Sequence, residues 1–421
     1  MALPNIPADA RLYLRPIWFA DSPFGLEGRV ARLGNGLLWF QGYELIAMRG
    51  RERVAKVAVP VERFDDCLVA LPDALAERAR MLAAAISAQR PPMTLGDRTI
   101  RFDAPQVMGI LNMTPDSFSD GGQYRDDPQA AADAGFAMVA AGAALVDVGG
   151  ESTRPRAEKI WEGDEIARVV PVIERLAAAG APISIDTRKA AVMEAALAAG
   201  ARVVNDVSAL QHDPRSMEVA ARAGCPVILM HAPSSGDDPH AGPAGGYADP
   251  VTDVFDALEG RIAACVAAGI ERGKIMVDPG LGFGKSLADN LALVNRLALL
   301  QALGVPLLFA GSRKRMIGAL SNEAPAADRL GGSPTLTAVL VILTGIIGAI
   351  CTTPLLNLLR IRDWRARGFA TGVAAHGIGT ARAFQISPEA GAFAALAMAT
   401  NGLATALLTP WLLPWLSRWF A

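Results

Sequence analysis

VMGILN (107–112), ALVDVGGEST (144–153), ISIDTR (183–188), VVNDVS (203–208), VILMH (227–231), IMVDPG (275–280) and LLFAGSRK (307–314) are seven apolar runs that each stop at a polar or glycine-rich cluster. Their cores are mostly Val, Ile and Leu, the composition of strands buried on both faces. Ala-rich stretches of helical length and period separate them. Strand, helix and parallel strand in repetition predict a (β/α) barrel, whose active site lies at the C-terminal ends of the strands. Asn112, Asp186, Asn205, Asp278 and Lys314 fall at those ends. No eighth run follows clearly. The expected fold is therefore α/β, a (β/α)8 TIM-barrel type lacking its usual eighth βα unit. A small N-terminal α+β region and an apolar helical C-terminal tail flank it.

The 421 residues suffice for two or three domains, and a net charge of -2 without a basic, aromatic-interleaved run argues against nucleic acid as a partner. Cys67, Cys225, Cys265 and Cys351 are far apart in apolar surroundings, which predicts buried thiols rather than disulfides or a zinc site. The start, MALPNIPADARLYLRPIW, has no basic-then-apolar pattern of a signal peptide, so the barrel is expected in the cytoplasm.

Three regions follow. In residues 1–103, GLLWFQGYELIAM (36–48) and RVAKVAVPVERF (53–64) read as strands, with a turn at Gly34-Asn35-Gly36. DALAERARMLAAAISAQ (73–89) reads as an amphipathic helix closed by Pro91-Pro92. Residues 104–333 carry the barrel pattern, with long polar loops at 112–124 and 151–163 as candidate lids and a third long loop, rich in Gly and Pro, at 232–249. Residues 334–421 differ in character. After Pro334 there are six arginines, two acids and no lysine, and 335–359 and 390–417 carry no charge. Both exceed the roughly 20 residues needed to cross a hydrocarbon core. Association with a membrane through 335–417 is thus expected.

Several clusters can carry chemistry. NMTPDSFSDGG (112–122) can hold Mg2+ through oxygen ligands, or be an ordinary turn. GGESTRPR (149–156) offers backbone N–H groups and a guanidinium to a phosphate or carboxylate, or an exposed arginine on a loop. Asp186, Asn205 and Asp278 can bind a flat heterocycle rich in N–H donors, such as a pterin, or cap the following helices. DPGLGFGK (278–285) lacks P-loop spacing, and its glycines suit close approach of a flat ligand. Lys314 can donate to a heterocycle carbonyl or a carboxylate. His212, His231, His240 and His376 show no metal-like spacing, and His231 reads as structural or as a support behind the ligand-contacting residues.

In order, LNMTPDSFSDGG, DVGGESTRP, SIDTRK, VVNDVSAL, ILMH, DPGLGFGK and GSRKRMIG resemble dihydropteroate synthase, the sulfonamide target of folate synthesis, over about 105–333. The resemblance implies that p-aminobenzoate displaces pyrophosphate from 6-hydroxymethyl-7,8-dihydropterin diphosphate, with Mg2+ as cofactor. It implies that Asn112 contacts the metal and the pyrophosphate, and that Asp116 sits on a closing loop. Thr153 and Arg154 hold the diphosphate. Asp186, Asn205, Asp278 and Lys314 bind the pterin, with Met230 and Phe283 lining its slot. Phe118 and Pro155 flank the aminobenzoate. Arg315 stands where many members have serine. A homodimer is a further expectation.

One departure matters more. The family continues into an eighth strand ending in Arg-x-His, two further pyrophosphate ligands, and no such tripeptide follows Lys314 here. Instead AVLVILTGIIGAI (338–350) and RARGFATGVAAHGIGTARAF (365–384) resemble the C-terminal part of LrgB/CidB-type membrane proteins. The expected protein is a fusion whose synthase activity is impaired. The competing readings are a non-catalytic pterin-binding fusion and a membrane protein carrying a barrel remnant.

Overall fold

The structure, a computed structural model, describes residues 6–20, 22–113, 127–153, 157, 159–234, 238–312, 314, 316, 356–357, 361–371, 383, 387 and 389–397. The chain forms two compact units, 1–317 and 318–421.

The first unit opens with an antiparallel sheet of β1 (Arg11–Ala20), β2 (Ala31–Arg32), β3 (Trp39–Arg49) and β4 (Glu52–Pro60), with β3 paired to the other three. The expected Gly-Asn-Gly turn joins β2 to β3, with Asn35 at φ 55°. Two corrections arise here. RLYLRPIWFA, whose sequence shows no clean strand alternation, forms β1. The end of RVAKVAVPVERF is helical, since a 3-10 turn over Val61–Arg63 leads into α1 (Phe64–Val69). Pro60 lacks the N–H a ladder needs, which ends β4 there. The amphipathic helix forms as α2 (Asp73–Ser87), burying Leu75, Ala76, Ala79, Leu82 and Ile86.

A hairpin of β5 (Met93–Leu95) and β6 (Arg98–Ile100) follows. Then come β7 (Met108–Asn112), α3 (Pro128–Ala140), β8 (Leu145–Gly149), α4 (Glu162–Ala178), β9 (Ile183–Asp186) and α5 (Ala190–Ala199). They are followed by β10 (Val203–Asp206), α6 (Ser216–Ala223), β11 (Val227–Met230), α7 (Pro250–Ala267), β12 (Ile275–Asp278) and α8 (Leu287–Asn295). β7 to β12 pair in sequence order, all parallel, as the winding of a (β/α) barrel requires. The seventh run forms only a parallel bridge, Leu307 to Val277, with Leu308 N–H donating to the Val277 carbonyl at 2.8 Å.

Alternation within these strands decides what faces where. Val146, Val148, Ile183, Ile185, Val204, Val227, Leu229, Ile275 and Val277 join the main core with Val169, Val172, Ile173 and Leu176 of α4. The other set faces the barrel interior. At its base, Leu145, Val203, Ile228 and Met276 pack with Met93, Leu95 and Ile100. The β5–β6 hairpin therefore plugs the N-terminal mouth, the end opposite the strand termini that carry the polar residues.

In the second unit, residues 364–371 and 389–397 are helical. Arg365 pairs with Glu389 at 2.6 Å, and a Cβ at Gly368 would run into the Ala390 backbone. Among the described residues no helix is long and apolar enough to cross a membrane. The expected spans lie outside those residues except for 356–357 and 390–397, as do Cys351 and His376. Cys67, Cys225 and Cys265 are free and buried, as read from sequence.

Candidate active site

Strand register assembles the site. Asn112 pairs with Gly149, Gly149 with Asp186, and Asp186 with Asn205. Partners in a parallel ladder project to the same face, so these four share the upper layer of the interior. One layer down, Asp147 pairs with Ser184. Asp147 is buried and accepts from Ser184 Oγ at 2.5 Å and Asn205 Nδ2 at 3.0 Å. That bond fixes the Asn205 amide, leaving its oxygen for a ligand donor.

Asp186 holds an unsatisfied acceptor. Its Oδ1 is buried without a hydrogen-bond partner. Burial drives its carboxyl well above the usual range, with Asp147, Glu165 and Asp206 adding repulsion and Arg188 opposing. On the next strands, Met230 pairs with Asp278. Asp278 is pushed up to about 6 by burial, against the pull of the Gly280 N–H, Lys314 and Lys285. Lys314 lies 4.7 Å from the centre of the Phe283 ring, and burial lowers it while Asp278 and Asp186 oppose. Val207, Met230 and Phe283 form a small apolar cluster of their own. Among the described residues, acceptors, the Lys314 ammonium and a flat apolar wall thus share the site.

Helix capping does not explain these residues. Asp213, not Asp186, accepts the Ala190 N–H at the start of α5. Ser286 and Asp289 cap α8, while Asp278 accepts from Gly280 within its own turn at 2.7 Å.

Gly149 leaves a gap between neighbours. A Cβ there would sit 3.1 Å from Asn112 Oδ1 and 3.6 Å from Asp186 Oδ2. An amide oxygen and a carboxylate oxygen bordering one gap fit a hard cation that keeps most of its waters. Among the described residues no group of three or more His, Cys, Asp or Glu could hold a metal alone.

Some participants escaped the sequence reading. Lys189 Nζ donates to Glu165 at 2.8 Å, to Glu151 at 3.1 Å and to the Ile160 carbonyl at 2.7 Å, tying the loop after β8 to α4. His240, from the long loop after β11, places Nε2 2.7 Å from the Thr153 carbonyl and stacks on Phe283 at 4.6 Å. Asp147 and Lys285 were also missed. Only Asp147 had a signal, an acid inside an otherwise apolar run. His231 is buried, held down to about 3 by burial and by Lys285, and its carbonyl accepts from Lys285 Nζ. Asp116, Phe118, Arg154, Pro155 and Arg315 lie outside the described residues.

The family model for pterin binding enzymes matches residues 108–348, more than half of the chain. The chain belongs to this family. A dihydropteroate synthase of Mycobacterium leprae is 48% identical over 246 residues, covering 58% of this chain and 86% of the relative. That of Bacillus subtilis is 44% identical over 231 residues, covering 55% and 78%. A Xanthomonas albilineans dihydropteroate synthase solved with 4-aminobenzoic acid is similar in structure, with TM-score 0.52, 45% identity, and 58% and 86% coverage. A second model, for the LrgB-like family, matches residues 324–415.

Proposed function

We propose that the chain acts as a dihydropteroate synthase, joining p-aminobenzoate to 6-hydroxymethyl-7,8-dihydropterin diphosphate to give 7,8-dihydropteroate and pyrophosphate. The observation that carries this reading is the orphaned Asp186 oxygen in register with the Asp147-held Asn205 amide, with Asp278 at the end of β12. A pterin edge supplies the N–H donors such acceptors lack. Lys314 would donate to the ring carbonyl, with Met230 and Phe283 against its faces. Thr153 and Arg154 would hold the diphosphate, and Asp116 would close over the centre with its loop. Phe118 and Pro155 would flank the aminobenzoate, with Arg315 beside Lys314. Asn112 would hold Mg2+ together with diphosphate oxygens and water, and the ion would supply neutralisation of the leaving charge.

The aniline nitrogen forms a bond to the pterin methylene carbon as the C–O bond to diphosphate breaks. The diphosphate leaves with the electron pair, and the nitrogen loses its proton to solvent. Positive charge developing on the pterin would be stabilised by Asp186 and Asp278.

Calorimetry with 6-hydroxymethylpterin on the full chain tests the site. N–H donors favour an ionised Asp278, whose carboxyl titrates at about 6. Affinity should therefore rise with pH through that point, roughly tenfold between pH 5 and 7, with proton release on binding at the lower end. No binding at any pH would remove the pterin reading.

For the tail, we propose domains 1–103, 104–333 and 334–421, with the last part of a fusion that associates with membranes. The LrgB-like match supports this. The arginine-rich stretch 360–367 favours the cytoplasmic side. Trp364→Cys in intact cells should therefore resist an impermeant thiol reagent. Ready labelling would put that stretch outside.

A further inference from the structure

The loop that carries Phe283 is closed by a lysine. Lys285 Nζ donates to the carbonyls of Gly280 at 2.8 Å, Phe283 at 3.0 Å and His231 at 3.1 Å. Three acceptors match the three donors of an ammonium group, and a neutral amine would turn a lone pair toward one carbonyl. Two of the acceptors belong to the loop after β12, and the third ends β11. The backbone is shaped for this. Gly280, Gly282 and Gly284 all have positive φ, at 65°, 82° and 57°, and a Cβ at Gly280 would run into the His231 carbonyl oxygen. Asn290 holds the outer side, its Oδ1 accepting from Gly282 N–H at 2.8 Å and its Nδ2 donating to the carbonyls of Lys285 and Ser286.

We infer that Lys285 is a positioning residue for the pterin site, an ammonium clamp that holds the 278–285 loop on the end of β11 and so places Phe283 and Asp278 for a ligand. This rests on the pterin reading above. Lys285 does not need to touch substrate. Its charge also acts on Asp278, which it helps to keep ionised. The charged and titratable groups around it are Asp278 on β12, Asp289 in α8, Lys314 after the seventh run and the neutral His231. Burial pulls Lys285 down to about 7, with Lys314 adding to the effect and Asp278 and Asp289 opposing. The clamp is therefore complete at low pH and loses a bond as pH rises through that range.

The test is calorimetry of 6-hydroxymethylpterin binding to the full chain from pH 5 to 9, for wild type and Lys285→Met. Wild type should show a bell-shaped affinity profile, rising as Asp278 ionises and falling as Lys285 loses its proton. Lys285→Met should bind at least about tenfold more weakly at pH 6.5, the cost of losing one or more charge-assisted bonds, and lose the alkaline limb. Equal affinity, or an alkaline limb unchanged in midpoint and depth in the variant, would overturn the clamp, since a limb belonging wholly to the pterin itself is the same in both. Wild type that never binds removes the pterin reading instead. Should the variant fail to fold, amide exchange of wild type decides. Protection at Gly282 and Phe283 should fall between pH 6 and 9 relative to α8, and unchanged relative protection refutes the proposal.

Discussion

Replacing the residues after Ser333 with a family-type eighth βα unit, its strand ending in Arg-x-His, should raise turnover by roughly 150- to 25,000-fold. No Arg-x-His follows Lys314 in this sequence, and the family resemblance assigns both of those side chains to the leaving diphosphate. Charge-assisted hydrogen bonds contribute about 1.5–3 kcal/mol each, so two are worth roughly 3–6 kcal/mol of barrier, and each 1.36 kcal/mol is a factor of ten. Ile110 on β7 and Phe309 on the seventh run, the two elements that a last strand would join, are each 45% exposed despite their size. Closing over them should raise thermal stability as well. The measurement is steady-state turnover of the native chain and the graft at saturating Mg2+. A native chain already as fast as the graft would mean that the tail supplies its own diphosphate ligands.

Asp186→Asn should weaken pterin binding by about 1–3 kcal/mol, since it replaces an acceptor with a donor in the ring-binding edge. The same change should stabilise the fold at neutral pH. An acid whose folded-state pKa is raised binds its proton more tightly in the native state, so its stability contribution falls as pH rises from the ordinary carboxylate range through the folded value. Asp186 and Asp278 are both raised in this way. Neutral amides at either position remove that loss. Thermal unfolding of Asp186→Asn and Asp278→Asn at pH 5 and 7.5 should show a gain at 7.5 that shrinks at 5. A uniform loss of stability with unchanged pterin affinity would mean that these carboxylates are structural.

Much was legible in the chain. Apolar runs ending in polar clusters placed six strands and the direction of the site, because a parallel sheet covered on both faces requires continuous Val, Ile and Leu. The motif order carried the family. The N-terminal strand β1 was missed because Arg11, Arg15 and Pro16 break its apolar pattern. Arg15 is nevertheless paired with the buried Glu44 at 2.9 Å, and Arg11 with Asp256 of α7 at 2.9 Å, partners far apart in sequence.

The sequence by itself determined the strand-helix alternation, the residue types at the strand ends and the absence of an Arg-x-His after Lys314. These are local facts, set by side-chain period and composition. Only the tertiary structure decided that Asp147 holds Asn205 across two strands, that Asp186 Oδ1 is buried without a hydrogen-bond partner among the described residues, and that Lys285 closes a loop on the end of another strand. Each depends on register and on burial among neighbours distant in the chain. A hydrogen bond's worth, and a carboxylate's charge, follow from that surrounding rather than from the residue itself.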